Sequence, residues 1–200
     1  MAVRQPPSFA LRFPFSDIGR WEAAYWATCS AEDRAREQEV ETQIAPAVQS
    51  QGFLTKDDLL SLCRWKSPRA VPQARRNDAE YVRAVTQTAL AADSERLRIE
   101  VLTLLWGVGW PMASVILHFG CADLYPILDV RALWAAGVED VSAAAYDFAL
   151  WQAYTLFCRR TAQEAGVTLR VLDRALWGCA VERQGKRSSE NRVVVPLWFM

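Results

Sequence analysis

The chain has 200 residues, 52% of them hydrophobic, which is enough for one domain with a sizeable core, either a single body or two closely packed lobes. Its 23 basic and 23 acidic side chains balance to a net charge of zero. This balance argues against a protein that coats nucleic acid by general electrostatic attraction, but it allows a local basic face. Because no signal peptide or membrane-length apolar run is evident, we expect a cytoplasmic protein with no membrane partner.

The five cysteines are odd in number and widely scattered, and no two have CxxC spacing. This pattern argues against a zinc site, an iron–sulfur cluster or a disulfide framework. We therefore expect reduced, buried thiols. The five are Cys29, Cys63, Cys121, Cys158 and Cys179.

The periodicity of apolar residues predicts an essentially all-α protein, because long stretches that alternate between apolar and polar residues are missing. Residues 1–20 read as an irregular N-terminal arm whose phenylalanines pack on the domain. A helical domain is predicted over residues 21–180, followed by a tail over residues 181–200 that is polar at first and apolar at its end. Predicted helices span residues 21–48, 55–64, 77–92, 143–165 and 168–180, with Thr55, Ser94 and Ser142 as N-caps and Gly52, Gly120, Gly137 and Gly166 as stops.

The segment between Arg64 and Arg76 contains five basic residues and no acid, in a chain that is otherwise balanced. A tryptophan between two cations at a helix end closed by proline suits a DNA backbone grip, with the ring stacking on a base or wedging beside it. The alternative is a solvated basic loop with Trp65 in the core. The candidate DNA-binding residues here are Arg64, Lys66, Ser67 and Arg69, with Trp65 as the candidate pocket or wedge residue.

A tight glycine hairpin follows over residues 94–120. Leu97, Val101, Leu104 and Leu105 lie at helical spacing and predict one inward-facing apolar stripe. Gly107 and Gly109 then permit a sharp turn and a close approach to the backbone. Pro111 suits the first turn of the next helix, where its missing N–H costs nothing.

The hairpin and the aspartate that follows it resemble the helix-hairpin-helix of the HhH-GPD superfamily of DNA glycosylases. That family carries a leucine-x-glycine-valine-glycine hairpin, a small residue in the second helix, and a loop that ends in proline, apolar residues and a catalytic aspartate. The matching residues are Leu105-Trp106-Gly107-Val108-Gly109, Ala113 and Pro126-Ile127-Leu128-Asp129. The resemblance is clear over residues 94–137, and it implies a helix-hairpin-helix glycosylase-like, two-lobed helical domain in which residues 121–131 form the catalytic loop.

The resemblance implies a DNA glycosylase that flips a damaged or modified base out of double-stranded DNA and excises it. Members that also cut the strand have a lysine two residues after the second hairpin glycine. Here that position is Pro111, which has no amine for a Schiff base, so we expect a monofunctional enzyme that leaves an abasic site. The iron–sulfur motif of one branch of the family is missing. The chain is thus a compact variant, for which we expect a monomer.

The substrate stays open, because oxidised, alkylated and deaminated bases are all handled by this superfamily. A compact member could also serve antiphage defence by excising hypermodified cytosine, for example glucosylated hydroxymethylcytosine, from phage DNA. A different class of function is a non-catalytic helix-hairpin-helix DNA-binding module. A protein–protein scaffold is a further alternative, against which the basic segment argues.

Base excision needs one fixed carboxylate beside the sugar, because positive charge develops there as the glycosidic bond lengthens. Asp129 fits this role, since it follows an apolar run and precedes a helix that fixes its direction. The alternative is that Asp129 serves only as an N-cap.

The remaining candidate residues surround the hairpin and the aspartate. The hairpin amides of Gly107, Val108, Gly109 and Trp110 are expected to bind a DNA phosphate, with Arg131 as a further DNA contact. Trp106 and Trp110 are expected to be buried against the fold, with the alternative that one of them stacks at the DNA, and His118 is expected to be a structural histidine. The base-pocket candidates, each of which could equally be core, are Tyr125, Trp151 and Tyr154. No cofactor is expected except a structural potassium or sodium ion, which the resemblance implies at the backbone carbonyls near Leu105 and Val108.

Overall fold

The computed structural model describes residues 7–122, 124–139 and 146–184, and the regular structure in these ranges is entirely helical. The all-α prediction is confirmed for the described residues. The helices, in chain order, are α1 (Ile18–Thr28), α2 (Ala31–Glu39), α3 (Ala45–Gln51), α4 (Lys56–Lys66), α5 (Val71–Ala74), α6 (Ala79–Ala91), α7 (Glu95–Glu100), α8 (Trp110–Gly120), α9 (Val130–Ala135), α10 (Phe148–Ala165) and α11 (Leu169–Gln184). None of these described helices is long and apolar enough to span a bilayer.

The described chain forms two compact units. The hairpin unit is continuous, over residues 30–127, and holds α2 to α8. Among the described residues, the aspartate unit combines residues 7–29 with residues 128–139 and 146–184, and it holds α1, α9, α10 and α11. One unit is therefore assembled from both ends of the chain, which the linear division into an arm, a domain and a tail did not anticipate.

The hairpin unit is built around α8. Every side chain from Met112 to Phe119 is buried, because this helix is apolar on all sides and packs against α3, α4 and α7. The carbonyl of Phe119 accepts a hydrogen bond from the Gln49 amide at 2.8 Å, which fixes α8 to α3. The glycine hairpin thus leads directly into a helix whose side chains are buried from Met112 to Phe119.

The aspartate unit depends on a close pairing of α1 and α11. Gly178, in the middle of α11, makes this pairing possible, because a Cβ there would lie 2.2 Å from the carbonyl oxygen of Trp21. The arm packs on the same unit: Phe9 stacks on Phe157 at 5.4 Å between ring centroids, and Phe13 is buried beside Trp21. The expectation that the arm packs its phenylalanines is confirmed for Phe9 and Phe13, whereas Phe15 is exposed.

The single helix predicted over residues 21–48 is wrong, because the chain leaves the helical conformation at Cys29 and Ser30. Ser30 caps α2 through a capping box in which its side chain accepts from the Asp33 N–H at 3.1 Å. The Ser30 hydroxyl offers backbone N–H groups a partner outside a continuous helix. The sequence prediction did not take this cap into account.

Two further helix boundaries differ from the prediction. Helix α10 begins at Phe148, not Ala143, because Asp147 is the N-cap and accepts from the Leu150 N–H at 2.8 Å. Helix α11 continues to Gln184, so the polar tail does not begin at residue 181. The proposed Ser142 cap and the apolar chain end lie outside the described residues. The caps at Thr55 and Ser94 and the left-handed stops at Gly52 and Gly166 are confirmed.

The apolar stripe predicted ahead of the hairpin is wrong for Leu97 and Leu104 and is confirmed for Leu105. Leu97 and Leu104 are 49% and 59% exposed, whereas Ile99, Leu102 and Leu105 are buried. For Leu104 the reason is that α7 ends at Glu100 and continues as a 3-10 helix over Val101–Leu104, which changes the residues per turn and rotates the inward face.

Candidate functional site

The hairpin turns on one left-handed glycine. Gly107 has φ +80°, and the turn is closed by a hydrogen bond from the Val108 N–H to the Leu105 carbonyl at 3.1 Å. Gly109 is extended, with φ −90° and ψ −178°, and it precedes α8, whose first turn contains Pro111 as expected. Val108 and Leu105 are buried and anchor the hairpin in the unit, while Gly109 is exposed and Trp110 is half-buried.

The hairpin packs directly on the basic segment of residues 64–76. A Cβ on Gly107 would lie 2.9 Å from both the Ala70 carbonyl oxygen and the Ala74 amide nitrogen, so only glycine allows this approach. Asn77, which is 2% exposed, adds a clamp: its side chain accepts from the Trp106 N–H and donates to the Trp106 carbonyl, both at 2.9 Å. The two features that the sequence singled out separately therefore form one surface of the hairpin unit.

Trp106 is exposed, contrary to the expectation that it would be buried. The residue is 53% exposed, and the guanidinium carbon of Arg76 lies over its ring, 3.9 Å from the centroid. The backbone clamp explains this orientation, because Asn77 holds the main chain of Trp106 against the unit and the side chain points away. The burial expected of Trp110 holds in part, since this residue is half-buried.

The candidate residues at the end of α4 differ in exposure, and some of them are half-buried. Arg64 and Arg69 are exposed, and Lys66 and Ser67 are half-buried in the turn that leads to the 3-10 helix Pro68–Ala70. Trp65 packs edge-on against Phe119, with ring centroids 5.3 Å apart. Trp65 is therefore half-buried against the α8 core, and the exposed ring beside the hairpin is Trp106.

Asp129 lies directly before α9 in the aspartate unit. Its carboxylate accepts from the Arg131 N–H at 2.8 Å, so it is an N-cap, and it is half-buried. Arg131 therefore meets Asp129 through its backbone, while its guanidinium lies over the Trp177 ring at 5.5 Å from the centroid. A side chain held in this way has a fixed direction.

Behind Asp129, α10 contributes a buried polar pair. Burial raises the pKa of Tyr154 well above its usual value, and the nearby Cys158 thiol and the charges of Asp173 and Asp129 raise it further. The Tyr154 hydroxyl donates to Cys158, whose own pKa burial also raises. Tyr154 and Trp151, which were pocket candidates, are 0% and 1% exposed, so both belong to the interior of the aspartate unit.

Tyr125 is interior to the hairpin unit rather than at a surface. It is 3% exposed, and its hydroxyl donates to the Glu95 carboxylate at 2.9 Å. Burial, together with the Glu95 hydrogen bond and charge, raises the pKa of Tyr125 to about 12. Its carbonyl accepts from Nδ1 of His118 at 2.6 Å, which confirms His118 as a buried structural histidine.

Asn77 and Arg76 are parts of the hairpin site that were not predicted from the sequence. Asn77 was predicted as the first residue of a helix, whereas it lies one residue before the Asp78 N-cap, and nothing local indicates a partner 29 residues away. A signal was present in the sequence, because Trp106 is a large aromatic residue directly before the first hairpin glycine.

Within the described ranges, no group of three or more His, Cys, Asp or Glu side chains is placed to hold a metal ion. None of the protein-family models, curated proteins or solved structures compared with the chain matches it. The function is therefore inferred from the residues of this chain alone.

Proposed function

We propose that this protein is a monofunctional DNA glycosylase of the HhH-GPD type, which releases a damaged or modified base and leaves an abasic site. The observation that carries the proposal is the joining of the glycine hairpin to the basic segment, since Gly107 rests on Ala70 and Ala74 and Asn77 clamps Trp106. A hairpin with this support is rigid and flanked by cations, as a DNA-backbone site requires.

In this proposal the hairpin binds a phosphate. The first-turn amides of α8, at Trp110 and Met112, have no acceptor within the helix and lie at its positive end. A Cβ on Gly109 would meet nothing closer than Pro111 at 3.9 Å, so this side of the hairpin is open to a close approach. The Leu105 carbonyl accepts the Val108 N–H and keeps a second lone pair, which fits a potassium or sodium ion held by the Leu105 and Val108 carbonyls.

Asp129 is the proposed catalytic carboxylate. Its direction is fixed by the Arg131 N–H, and it is half-buried, which strengthens its field relative to a solvated carboxylate. It would stabilise the positive charge that develops on the sugar and orient the attacking water. Pro111 has no nucleophilic amine, so strand cleavage through a Schiff base is not part of the proposed reaction.

The test compares the wild type with Asp129→Asn, because asparagine is also a good N-cap and preserves α9. We expect base release to fall by about 10²- to 10⁴-fold while DNA affinity and thermal stability stay close to wild type. Release is scored as strand breaks that appear only after alkali. The matched control is Asp147→Asn, which changes the N-cap of α10 in the same unit and is expected to leave base release unchanged.

The substrates are duplexes carrying oxidised, alkylated or deaminated bases, and phage DNA containing glucosylated hydroxymethylcytosine. The base released assigns the role, since release from phage DNA alone identifies an antiphage enzyme. Breaks without alkali would contradict the monofunctional assignment. DNA binding without release from any of these substrates would favour a non-catalytic helix-hairpin-helix module.

A further inference from the structure

Trp106 is an unusual residue to expose at a hairpin. It is 53% exposed, and the Arg76 guanidinium covers its ring at 3.9 Å from the centroid. Leaving so much of a large aromatic ring in water forgoes the free energy that burial would provide. An arginine over an exposed ring also holds that ring in one orientation.

The pair is held in place before any partner binds. Asn77 fixes both the N–H and the carbonyl of Trp106, and it also donates to the Ala74 carbonyl at 2.9 Å. Arg76, the residue before Asn77, is held in turn by the Gln73 side-chain oxygen at 2.9 Å. A partner that stacks on Trp106 therefore loses little additional conformational freedom in the protein.

The charge around Trp106 selects the kind of partner. The segment from Arg64 to Arg76 has five cations and no acid, and Arg69, Arg75 and Arg76 are exposed. Such a field attracts a polyanion, and a flat ring beside it suits the π-face of a nucleobase. Charge complementarity thus favours nucleic acid over a protein partner at this surface.

We propose that Trp106 and Arg76 form a stacking platform for an unpaired nucleobase of DNA bound at the hairpin. The base is one that has left its stack, so the platform favours single-stranded DNA, or a duplex that is opened locally, over fully paired DNA. This inference rests on the DNA-binding part of the proposed function and is independent of Asp129.

The test measures binding of Trp106→Ala to three fluorescently labelled oligonucleotides: a single strand, a duplex with a central unpaired bubble, and a fully paired duplex. We expect a loss of about 5- to 150-fold on the first two, which corresponds to the loss of one base–aromatic stack, and a much smaller loss on the paired duplex. Trp106→Phe should restore most of the affinity. The backbone clamp does not involve the Trp106 side chain, so the variant should fold, and its melting temperature is measured as a check.

The matched control is Leu104→Ala, which removes another exposed apolar side chain two residues earlier and should leave all three affinities unchanged. Unchanged binding of Trp106→Ala to the single strand and the bubble, or an equal loss on all three DNAs, would overturn the platform while leaving the proposed glycosylase intact. If the wild type binds none of the three, both proposals fail. If Asp129→Asn does not reduce base release but Trp106→Ala shows the selective loss, only the proposed catalysis fails.

Discussion

The hairpin depends on a few residues that each make a specific backbone contact. Gly107 provides the left-handed turn and the close approach to Ala70 and Ala74, and Asn77 satisfies two backbone groups of the preceding residue. Gly109 has neither constraint, because it is extended and nearly uncovered. The two glycines of the GVG motif therefore have different physical roles, one in folding and one at the open surface.

Substitution of each glycine by alanine should separate these roles. Gly107→Ala places a Cβ at positive φ and 2.9 Å from backbone atoms, so we expect a loss of at least about 1–2 kcal/mol in the free energy of unfolding. Gly109→Ala should leave that free energy within about 1 kcal/mol of wild type, but weaken duplex binding by about 10-fold or more, because the methyl group obstructs the phosphate. Urea unfolding and fluorescence anisotropy measure the two effects. Full DNA affinity in Gly109→Ala would show that the phosphate does not bind there.

At the scale of helices, the aspartate unit relies on the contact between α1 and α11. A mid-helix glycine usually weakens a helix, but Gly178 allows the backbone of α1 to approach closely. The same pair of helices buries charged groups: Arg170 pairs with Asp173, and Arg174 with Glu22. Removing one member of such a pair would leave the other charge buried without a partner, which is destabilising.

Gly178→Ala should destabilise the protein. The added Cβ would lie 2.2 Å from the Trp21 carbonyl and 2.9 Å from the Tyr25 amide, and backbone atoms cannot move aside without separating the helices. We expect a loss of about 3 kcal/mol, the upper part of the range for overpacked interiors, measured by urea or thermal unfolding.

The control for this substitution is Gly19→Ala in α1, where a Cβ would meet nothing within 4 Å. That variant should gain about 0.5–1 kcal/mol through helix propensity alone. A stable Gly178→Ala protein would mean that α1 and α11 are not packed as closely as described.

At the scale of the whole molecule, each of the two units contains a buried cysteine. Cys63 lies in the hairpin unit, and Cys158 and Cys179 lie in the aspartate unit; all three are buried, free thiols. Burial raises the pKa of Cys63 from 9.0 to about 11, and it also raises the pKa values of Cys158 and Cys179. The stabilisation linked to the protonated Cys63 thiol is complete below pH 9 and is lost as the pH rises through 11.

These three thiols should resist an aromatic disulfide reagent in the native protein at pH 8. Only roughly one Cys63 thiol in a thousand is ionised there, and the reagent also lacks access. We expect Cys29 and Cys121, which are half-buried, to react first, and all five thiols to react in denaturant. Variants that retain only Cys63 or only Cys179 would report the opening of each unit separately. Rapid labelling of Cys63 in the native state would contradict its burial.

Local sequence was sufficient to predict the helical class, several caps and stops, and the positions of Gly107, Gly109 and Pro111 at the hairpin. These features follow from local chemistry: capping side chains, left-handed glycines and apolar periodicity act within a few residues. The break at Ser30 has an equally local cause, a capping box that was not recognised within a segment predicted as one helix.

Which side chains each helix exposes depends instead on how the helices pack together. The 3-10 helix before the hairpin directs Leu104 outward, and Asn77 holds the Trp106 backbone so that its ring points away from the core. Tyr125, Trp151 and Tyr154 became interior residues by the same kind of packing. Contacts between residues far apart in the chain, such as Asn77 with Trp106, depend on how whole helices pack, and helical periodicity alone does not encode them.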